Sequence, residues 1–191
     1  MLGLVSALTD RIVIIDTETG GLDPAQFSLL SIGLVSFDGH RRAEIFVKEP
    51  SITTHPRSMA VNGIDLAWVE SHGFEPAAAC NQVEAFLDAV GHKRPVMLAG
   101  HNIAFDLAFM RRLYILAGRY PPPEFTHRSV DTHALLWALA ATGRIPPEAT
   151  SSDGAFSYFG VSPPEHLRHT ALGDALATRE LLVQLLELVG S

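Results

Sequence analysis

The sequence predicts an α/β fold with a mixed β-sheet. Three apolar segments near the start, residues 11–17, 28–37 and 43–48, have the length and composition of strands. A turn-forming sequence, Asp38-Gly39, separates the last two, which predicts an antiparallel meander. Helical patterns then alternate with short strand patterns. Strands followed by alternating helices and strands are typical of this fold class.

The rest of the chain is assigned by its apolar spacing and by its helix-start and helix-stop residues. Helices are predicted over 75–91, 102–118 and 170–189, a strand over 95–100, and a brief strand running into a helix over 128–143. Asp131 or Thr132 is predicted to cap the helix within residues 128–143, which gives Asp131 a structural role.

Two segments give weaker signals. Residues 50–65 are predicted to be a loop with a short helix at most. Residues 146–160 contain Asp153-Gly154, a turn-forming pair that predicts a break in any helix there. The chain has no internal repeats or low-complexity tracts, so a single domain over residues 1–191 is expected.

The composition is that of a globular protein, with 47% hydrophobic and 18% charged residues. A net charge of −7 argues against tight nonspecific binding to duplex DNA. The single cysteine, Cys80, excludes an internal disulfide framework and a multi-cysteine zinc site.

No secretory signal or membrane-spanning segment is evident, which favours the cytoplasm. The arginine pairs at 41–42 and 111–112 are predicted to lie on solvated faces.

The first strand ends in two acids, Asp16 and Glu18. Residues two apart in a strand point to the same face, so these carboxylates should lie side by side. Their mutual repulsion is costly in a buried position unless a cation compensates it. This pair is therefore a candidate metal site.

Two further acids lie on the apolar faces of predicted helices. Asp106 is followed at helical spacing by Phe109 and Met110, and Asp174 by Ala177 and Thr178. Either acid alone could simply favour a helix N-terminus. Together with the strand acids they form an oxygen-rich ligand set, which suits magnesium or manganese better than zinc.

His169 is predicted to lie in the loop that enters the last helix. It cannot share a helical face with Asp174, five residues later. A histidine beside a metal site can act as a general base.

The three segments that carry these residues, "DTETGGL", "HNIAFD" and "HTALGDA", resemble the three motifs of the DEDDh 3′–5′ exonucleases. Order and spacing match over residues 9–189. Within this family the likeness is greatest to the proofreading epsilon subunit of bacterial DNA polymerase III and its stand-alone relatives. Ribonuclease T and oligoribonuclease are more distant.

The resemblance implies a ribonuclease H-like fold, with a mixed five-stranded sheet whose second strand is antiparallel, flanked by helices. It also implies two Mg²⁺ or Mn²⁺ ions held by Asp16, Glu18, Asp106 and Asp174, with His169 and Glu18 as catalytic residues. Hydrolysis would release 5′-mononucleotides from single-stranded or frayed 3′ ends of DNA or RNA. An editing role of this kind would imply a DNA polymerase as partner.

Substrate contacts follow from the same resemblance. The backbone near Thr17 and Thr19 would meet the 3′-hydroxyl, and Leu22, Ile64 and Phe105 would pack on terminal bases, which is a sequence-tolerant mode of binding. Packing in the hydrophobic core explains Ile64 and Phe105 at least as well as base contact does. His101 and Asn102 would contact phosphate or backbone; alternatively, His101 caps the helix. Gly20 stands where the family more usually has threonine.

Several alternatives stay open at this point. The same chemistry on RNA, of the ribonuclease T or oligoribonuclease type, is the nearest, because the sequence does not reveal how the 2′-hydroxyl is treated. A non-catalytic nucleic-acid-binding or polymerase-accessory module and a phosphatase of small molecules fit less well. The oligomeric state is unknown. A clamp-binding role for residues 184–188 is disfavoured because their leucines face the core.

Overall fold

The structure is a computed structural model, which describes residues 9–91, 95–125, 128–167 and 169–190. These residues contain a five-stranded sheet in the order β3-β2-β1-β4-β5. The strands are β1 (Ile12–Thr19), β2 (Leu29–Ser36), β3 (Arg42–Phe46), β4 (Met97–Gly100) and β5 (Ser129–Asp131). The β1–β2 and β2–β3 pairs are antiparallel, and the β1–β4 and β4–β5 pairs are parallel. The predicted meander and mixed sheet are confirmed.

Seven α-helices lie in the described ranges. They are α1 (Pro56–Asn62), α2 (Leu66–His72), α3 (Pro76–Gly91), α4 (Ala104–Leu116), α5 (Thr132–Ala141), α6 (Ser152–Phe159) and α7 (Ala171–Gly190). Asp131 caps α5, since its carboxylate accepts a hydrogen bond from the backbone N–H of His133. None of the described helices is both long and apolar enough to cross a lipid bilayer.

The alternating side chains of β1 divide the core into two layers. Val13 and Ile15 pack in a cluster with residues of α3 and α4. Ile12 and Ile14 point the other way, into a cluster with Ala175 and other residues of α7. Beyond the last apolar residue of β1, the same alternation continues into the polar end of the strand and aims its side chains at two different helices.

The predicted break at Asp153-Gly154 is wrong, because α6 runs through both residues. Ser151 caps this helix by accepting a hydrogen bond from the N–H of Gly154. Glycine is required here for another reason: a Cβ at Gly154 would overlap the backbone carbonyl of Glu148 in the preceding 3₁₀ turn. The glycine that resembles a helix breaker therefore allows two helical segments to touch.

One of the arginine pairs is also placed differently from the prediction. Arg41 and Arg42 are exposed, as expected. Arg112, however, is half-buried. Its guanidinium forms a bidentate ion pair with the carboxylate of Glu49, with N···O distances of 2.9 and 2.7 Å, and the Glu49 side chain is only 1% exposed. The partner lies 63 residues away in the sequence, so the local charge pattern could not reveal it.

Candidate active site

Three carboxylates converge at the end of β1. One oxygen atom from each of Asp16, Glu18 and Asp174 lies within 4.8 Å of the other two. The two strand acids have even numbers, like Ile12 and Ile14, and so face α7, which carries Asp174. This arrangement confirms that the acids at 16, 18 and 174 meet.

Asp106 approaches the same group from the α4 side of the sheet. Its carboxylate is buried and accepts a 2.7 Å hydrogen bond from the hydroxyl of Thr17. It lies outside the three-carboxylate group, yet close enough to Asp16 for its charge to raise the pKa of that residue. The four acids are thus neighbours supplied by one strand and two helices.

Burial raises the pKa values of all four acids, and the charges of neighbouring site acids raise those of Asp16 and Glu18 further. Burial is the main cause at each residue, followed at Asp16 by the charges of Asp106, Asp174 and Glu18, which together raise its pKa well above the usual value. The pKa of Glu18 rises to about 8 and that of Asp106 to about 7. Burial also raises the pKa of Asp174, although the charge of His169 partly offsets it.

This donor set fits a divalent metal ion. Carboxylate oxygens are the ligands that Mg²⁺ and Mn²⁺ prefer, and a cation would relieve the repulsion that raises the pKa values. The three clustered acids lie close enough to bind a single ion together. Asp106 lies beside them and completes the set named from the sequence.

The first turn of α7 rests directly on the sheet at Gly33. A Cβ there would overlap the carbonyl of Ala171, so only glycine allows the helix to come this close. Gly33 pairs with Asp16 on β1. The close approach therefore brings the acid on α7 to the acids on β1.

His169 precedes α7 in a left-handed backbone conformation, with φ of 58°. It is exposed and lines a cavity of about 370 Å³ together with Asp16, Asp174 and His101. The prediction that His169 lies outside the helix, beside the acids, is confirmed.

Comparison with known proteins identifies the family. The exonuclease family model matches residues 13–182, nearly the whole chain. The chain belongs to the exonuclease family. The resemblance to DEDDh exonucleases drawn from the three motifs is confirmed.

Two relatives illustrate this membership, and one solved structure shares the fold. The chain is 33% identical to a DNA polymerase III subunit epsilon-like protein of Rhodobacter capsulatus, over 91% of this chain but only 23% of that protein. It is 31% identical to the 3′–5′ DNA exonuclease Cap18 of Escherichia coli, over 88% of both chains. The nuclease domain of 3′hExo, a DEDDh family member bound to rAMP, has a TM-score of 0.73, with 15% identity over 93% of this chain and 92% of that one.

Asn62 is a site residue that the sequence analysis missed. Its amide nitrogen donates to the carbonyl of Thr19, 3.2 Å away, and its side chain is also hydrogen-bonded to Glu18, which lowers the pKa of that acid. Asn62 is buried at the end of α1, in a segment predicted mainly as loop. Its only sequence signal is its place before Gly63 and Ile64, the residue already singled out.

His101 and Asn102 lie at the start of the helix that carries Asp106. His101 does not cap α4; its ring Nδ1 lies 3.1 Å from the hydroxyl of Thr132, and the ring lines the acid-containing cavity. Asn102 has a positive φ of 55°, and its backbone N–H donates to the carboxylate of Asp131. Asp131 therefore serves both α5 and the turn before α4.

The loop after β1 holds Leu22 out in solvent, with 82% of its surface exposed. Gly20 packs against the backbone at Thr53, where a Cβ would overlap the carbonyl, so the family's more usual threonine has no room here. Thr19 turns its hydroxyl to the carbonyl of Gly21. Arg112 holds the same loop by donating a hydrogen bond to the carbonyl of Pro24, 2.9 Å away.

Ile64 and Phe105, the other predicted base contacts, differ in their surroundings. Ile64 is half-buried and lines a second cavity that also includes His169. Phe105 packs against the core cluster, with its ring centroid 5.0 Å from that of Phe109. It is only partly buried, so one part of the ring packs inward and another part meets solvent.

Proposed function

We propose that this protein is a divalent-metal-dependent 3′–5′ exonuclease that acts on DNA in preference to RNA and releases 5′-mononucleotides. The observation that carries the proposal is the meeting of Asp16, Glu18 and Asp174, with Asp106 beside them and His169 at the rim. The sheet and its helices would work as one exonuclease domain. The relative named a DNA exonuclease, which matches 88% of both chains, supports DNA as the substrate.

Each residue has a task in this proposal. Asp16, Glu18, Asp106 and Asp174 hold two Mg²⁺ or Mn²⁺ ions. Bound cations of this kind offset the charge that develops on the attacking and leaving oxygens during phosphodiester hydrolysis.

His169 acts as the general base, because it is exposed at the cavity edge and can accept the proton of the attacking water. The backbone at Thr17 and Thr19 holds the 3′-hydroxyl, and Leu22, Ile64 and Phe105 hold bases by apolar contact. His101 and Asn102 contact the phosphate backbone of the substrate.

RNA is the second candidate substrate. One observation favours it: a structure with the same fold holds rAMP, a ribonucleotide. A polymerase partner is proposed from the epsilon-like relative, although the chain spans only 23% of that protein.

The test is degradation of a 5′-labelled single-stranded DNA and of the matching RNA, with Mg²⁺ or Mn²⁺. We expect a ladder shortened from the 3′ end, faster on DNA, and abolished by chelation and in Asp16→Asn. Glu187→Gln, which changes an exposed acid on α7, is the matched control and should retain activity. The absence of a ladder on both strands would refute the proposal, and a faster RNA ladder would replace its substrate.

A further inference from the structure

A second cavity adjoins the candidate active site on the side of β3. It has a volume of about 300 Å³ and lies between β3, the segment from α1 to α2, and the turn before α7. Volumes of about 300–1,000 Å³ are typical of small-molecule sites. Its walls share His169 with the acid-containing cavity. The two cavities therefore meet at His169.

The wall of this cavity is mainly apolar and aromatic. Phe46, Ile64 and Trp68 form it, and 42% of the Trp68 surface is exposed. Trp68 is held in place by two neighbours. The ring of Phe46 meets it edge-on with centroids 4.6 Å apart, and the ring of His72 stacks on it at 4.8 Å. A fixed aromatic side chain loses little conformational freedom when a flat ligand binds.

Two polar side chains in the wall, those of Asn62 and Glu44, are hydrogen-bonded inside the protein. The amide of Asn62 donates to the carbonyl of Thr19 and accepts from the N–H of Ile64. The carboxylate of Glu44 accepts from the hydroxyl of Ser31, 3.2 Å away. These hydrogen bonds hold the wall in place.

The same is true at the two helix starts that border the cavity. Asp65 accepts from the backbone N–H groups of Ala67 and Trp68 at the start of α2. Thr170 donates to a backbone carbonyl and accepts from the N–H of Gly173 at the start of α7. What the cavity offers is thus an apolar surface beside a reaction site.

We propose that this cavity is a nucleobase-binding subsite, with Trp68 and Phe46 as its contact surface for one base of the substrate's 3′ end. This inference rests on the proposed exonuclease function. A base is the flat, largely apolar part of a nucleotide, and an aromatic surface can accept any of the bases. Because the contact surface is aromatic and apolar, the subsite discriminates by ring area, so purines bind more tightly than pyrimidines.

The first test uses the two tryptophans of the chain. Trp137 is 64% exposed on α5, so Trp137→Phe leaves Trp68 as the single tryptophan reporter with little effect on the fold. Titration with 5′-dAMP in Mg²⁺ should change its fluorescence saturably, and 5′-dCMP should do so at higher concentration. Deoxyribose 5-phosphate, which lacks the base, should have no effect.

The second test measures coupling between Trp68 and a base. Trp68→Leu should raise KM for single-stranded DNA roughly tenfold and leave kcat within about twofold, as expected for the loss of one base–aromatic contact. An oligonucleotide with an abasic residue at the last or the penultimate position should show the same rise with the unaltered protein. Its KM should not rise further with Trp68→Leu. Trp137→Leu is the matched control.

The outcomes separate this inference from the proposed function. If Trp137→Phe degrades DNA but its fluorescence does not respond to dAMP, or if Trp68→Leu and abasic substitution act independently, the subsite is refuted while the exonuclease stands. If Trp137→Phe and the unaltered protein both fail to degrade DNA or RNA, the function itself is refuted. Trp68→Phe, which keeps an aromatic ring, should recover most of the lost affinity.

Discussion

Thr17 donates its hydroxyl proton to Oδ1 of Asp106 over 2.7 Å and so joins the strand that carries two acids to the helix that carries a third. The two residues are 89 apart in the sequence, and both are buried. A hydrogen bond to the charged form of an acid lowers its pKa, which opposes the effect of burial on Asp106. Thr17 therefore orients this carboxylate and keeps more of it ionised.

Replacing Thr17 by valine should weaken metal binding and activity near neutral pH. Loss of the hydroxyl raises the pKa of Asp106 further above about 7, so the acidic limb of the pH–rate profile should move to higher pH. Hydrogen bonds to charged groups contribute about 1.5–3 kcal/mol, which sets the scale of the stability loss. Activity measured from pH 6 to 9 gives the profile. Thr17→Ser should restore it, whereas an unchanged profile in Thr17→Val would contradict this role.

The metal-free protein should become less stable as the pH rises. Glu18 ionises at about 8 in the folded protein instead of 4.5, and Asp16, Asp106 and Asp174 shift in the same direction. Between about pH 4 and 8 the folded state therefore binds more protons than the unfolded state, and the free energy of unfolding falls across this window. Thermal unfolding in EDTA at several pH values measures the effect.

Mg²⁺ or Mn²⁺ should reverse this loss, most strongly at the alkaline end, because protons no longer compete for the carboxylates. Asp16→Asn removes an acid that is harder to ionise in the folded protein than in the unfolded one, so it should raise the melting temperature of the metal-free protein at pH 8, by about 2–4 °C per kcal/mol gained. It should also abolish stabilisation by metal. If the free energy of unfolding of the metal-free protein is constant from pH 5 to 8, the pKa values of these acids are not raised in the folded protein.

His169→Asn should lower kcat by about a hundredfold to ten-thousandfold, the range for loss of a general base. Asparagine tolerates the left-handed backbone at this position, so the change removes the proton acceptor without straining the turn. Metal binding, followed by calorimetry with Mn²⁺, should persist. His169→Gly provides a rescue control, because added imidazole should restore part of the activity. Full activity in both variants would exclude this residue as the base.

Gly33→Ala should cost both stability and activity. The added methyl group would overlap the carbonyl of Ala171 and push the first turn of α7 off the sheet, which separates Asp174 from Asp16. Overpacking of this kind typically costs about 1–3 kcal/mol. Gly190→Ala, at the open end of α7 where no atom lies within 4 Å of the added group, is the control. Denaturant unfolding and Mn²⁺ affinity should change only in Gly33→Ala.

The sequence was sufficient where local spacing determines the geometry. Alternation along β1 predicted that Asp16 and Glu18 share a face, and the apolar stripes of α4 and α7 predicted that Asp106 and Asp174 turn inward. The left-handed turn at His169 lies where the loop before α7 was expected. These features depend on residues that are close in the sequence.

Features that depend on distant partners were not predictable in this way. Asp153-Gly154 has the sequence signature of a helix break. The reason for a glycine at this position is its contact with the carbonyl of Glu148, which exists only once two helical segments pack together. The buried carboxylate of Glu49 holds Arg112 in a half-buried ion pair instead of on a solvated face. Asn62 gains its importance from Thr19, 43 residues earlier.

The ion pair between Arg112 and Glu49 has a consequence for Leu22. The guanidinium binds the buried carboxylate and the carbonyl of Pro24 at once, so it anchors the loop backbone two residues from the exposed leucine. The exposed side chain of Leu22 is therefore carried by a loop whose backbone is anchored. Its apolar surface stands in water before any substrate arrives, and meeting a base would require little ordering of the chain.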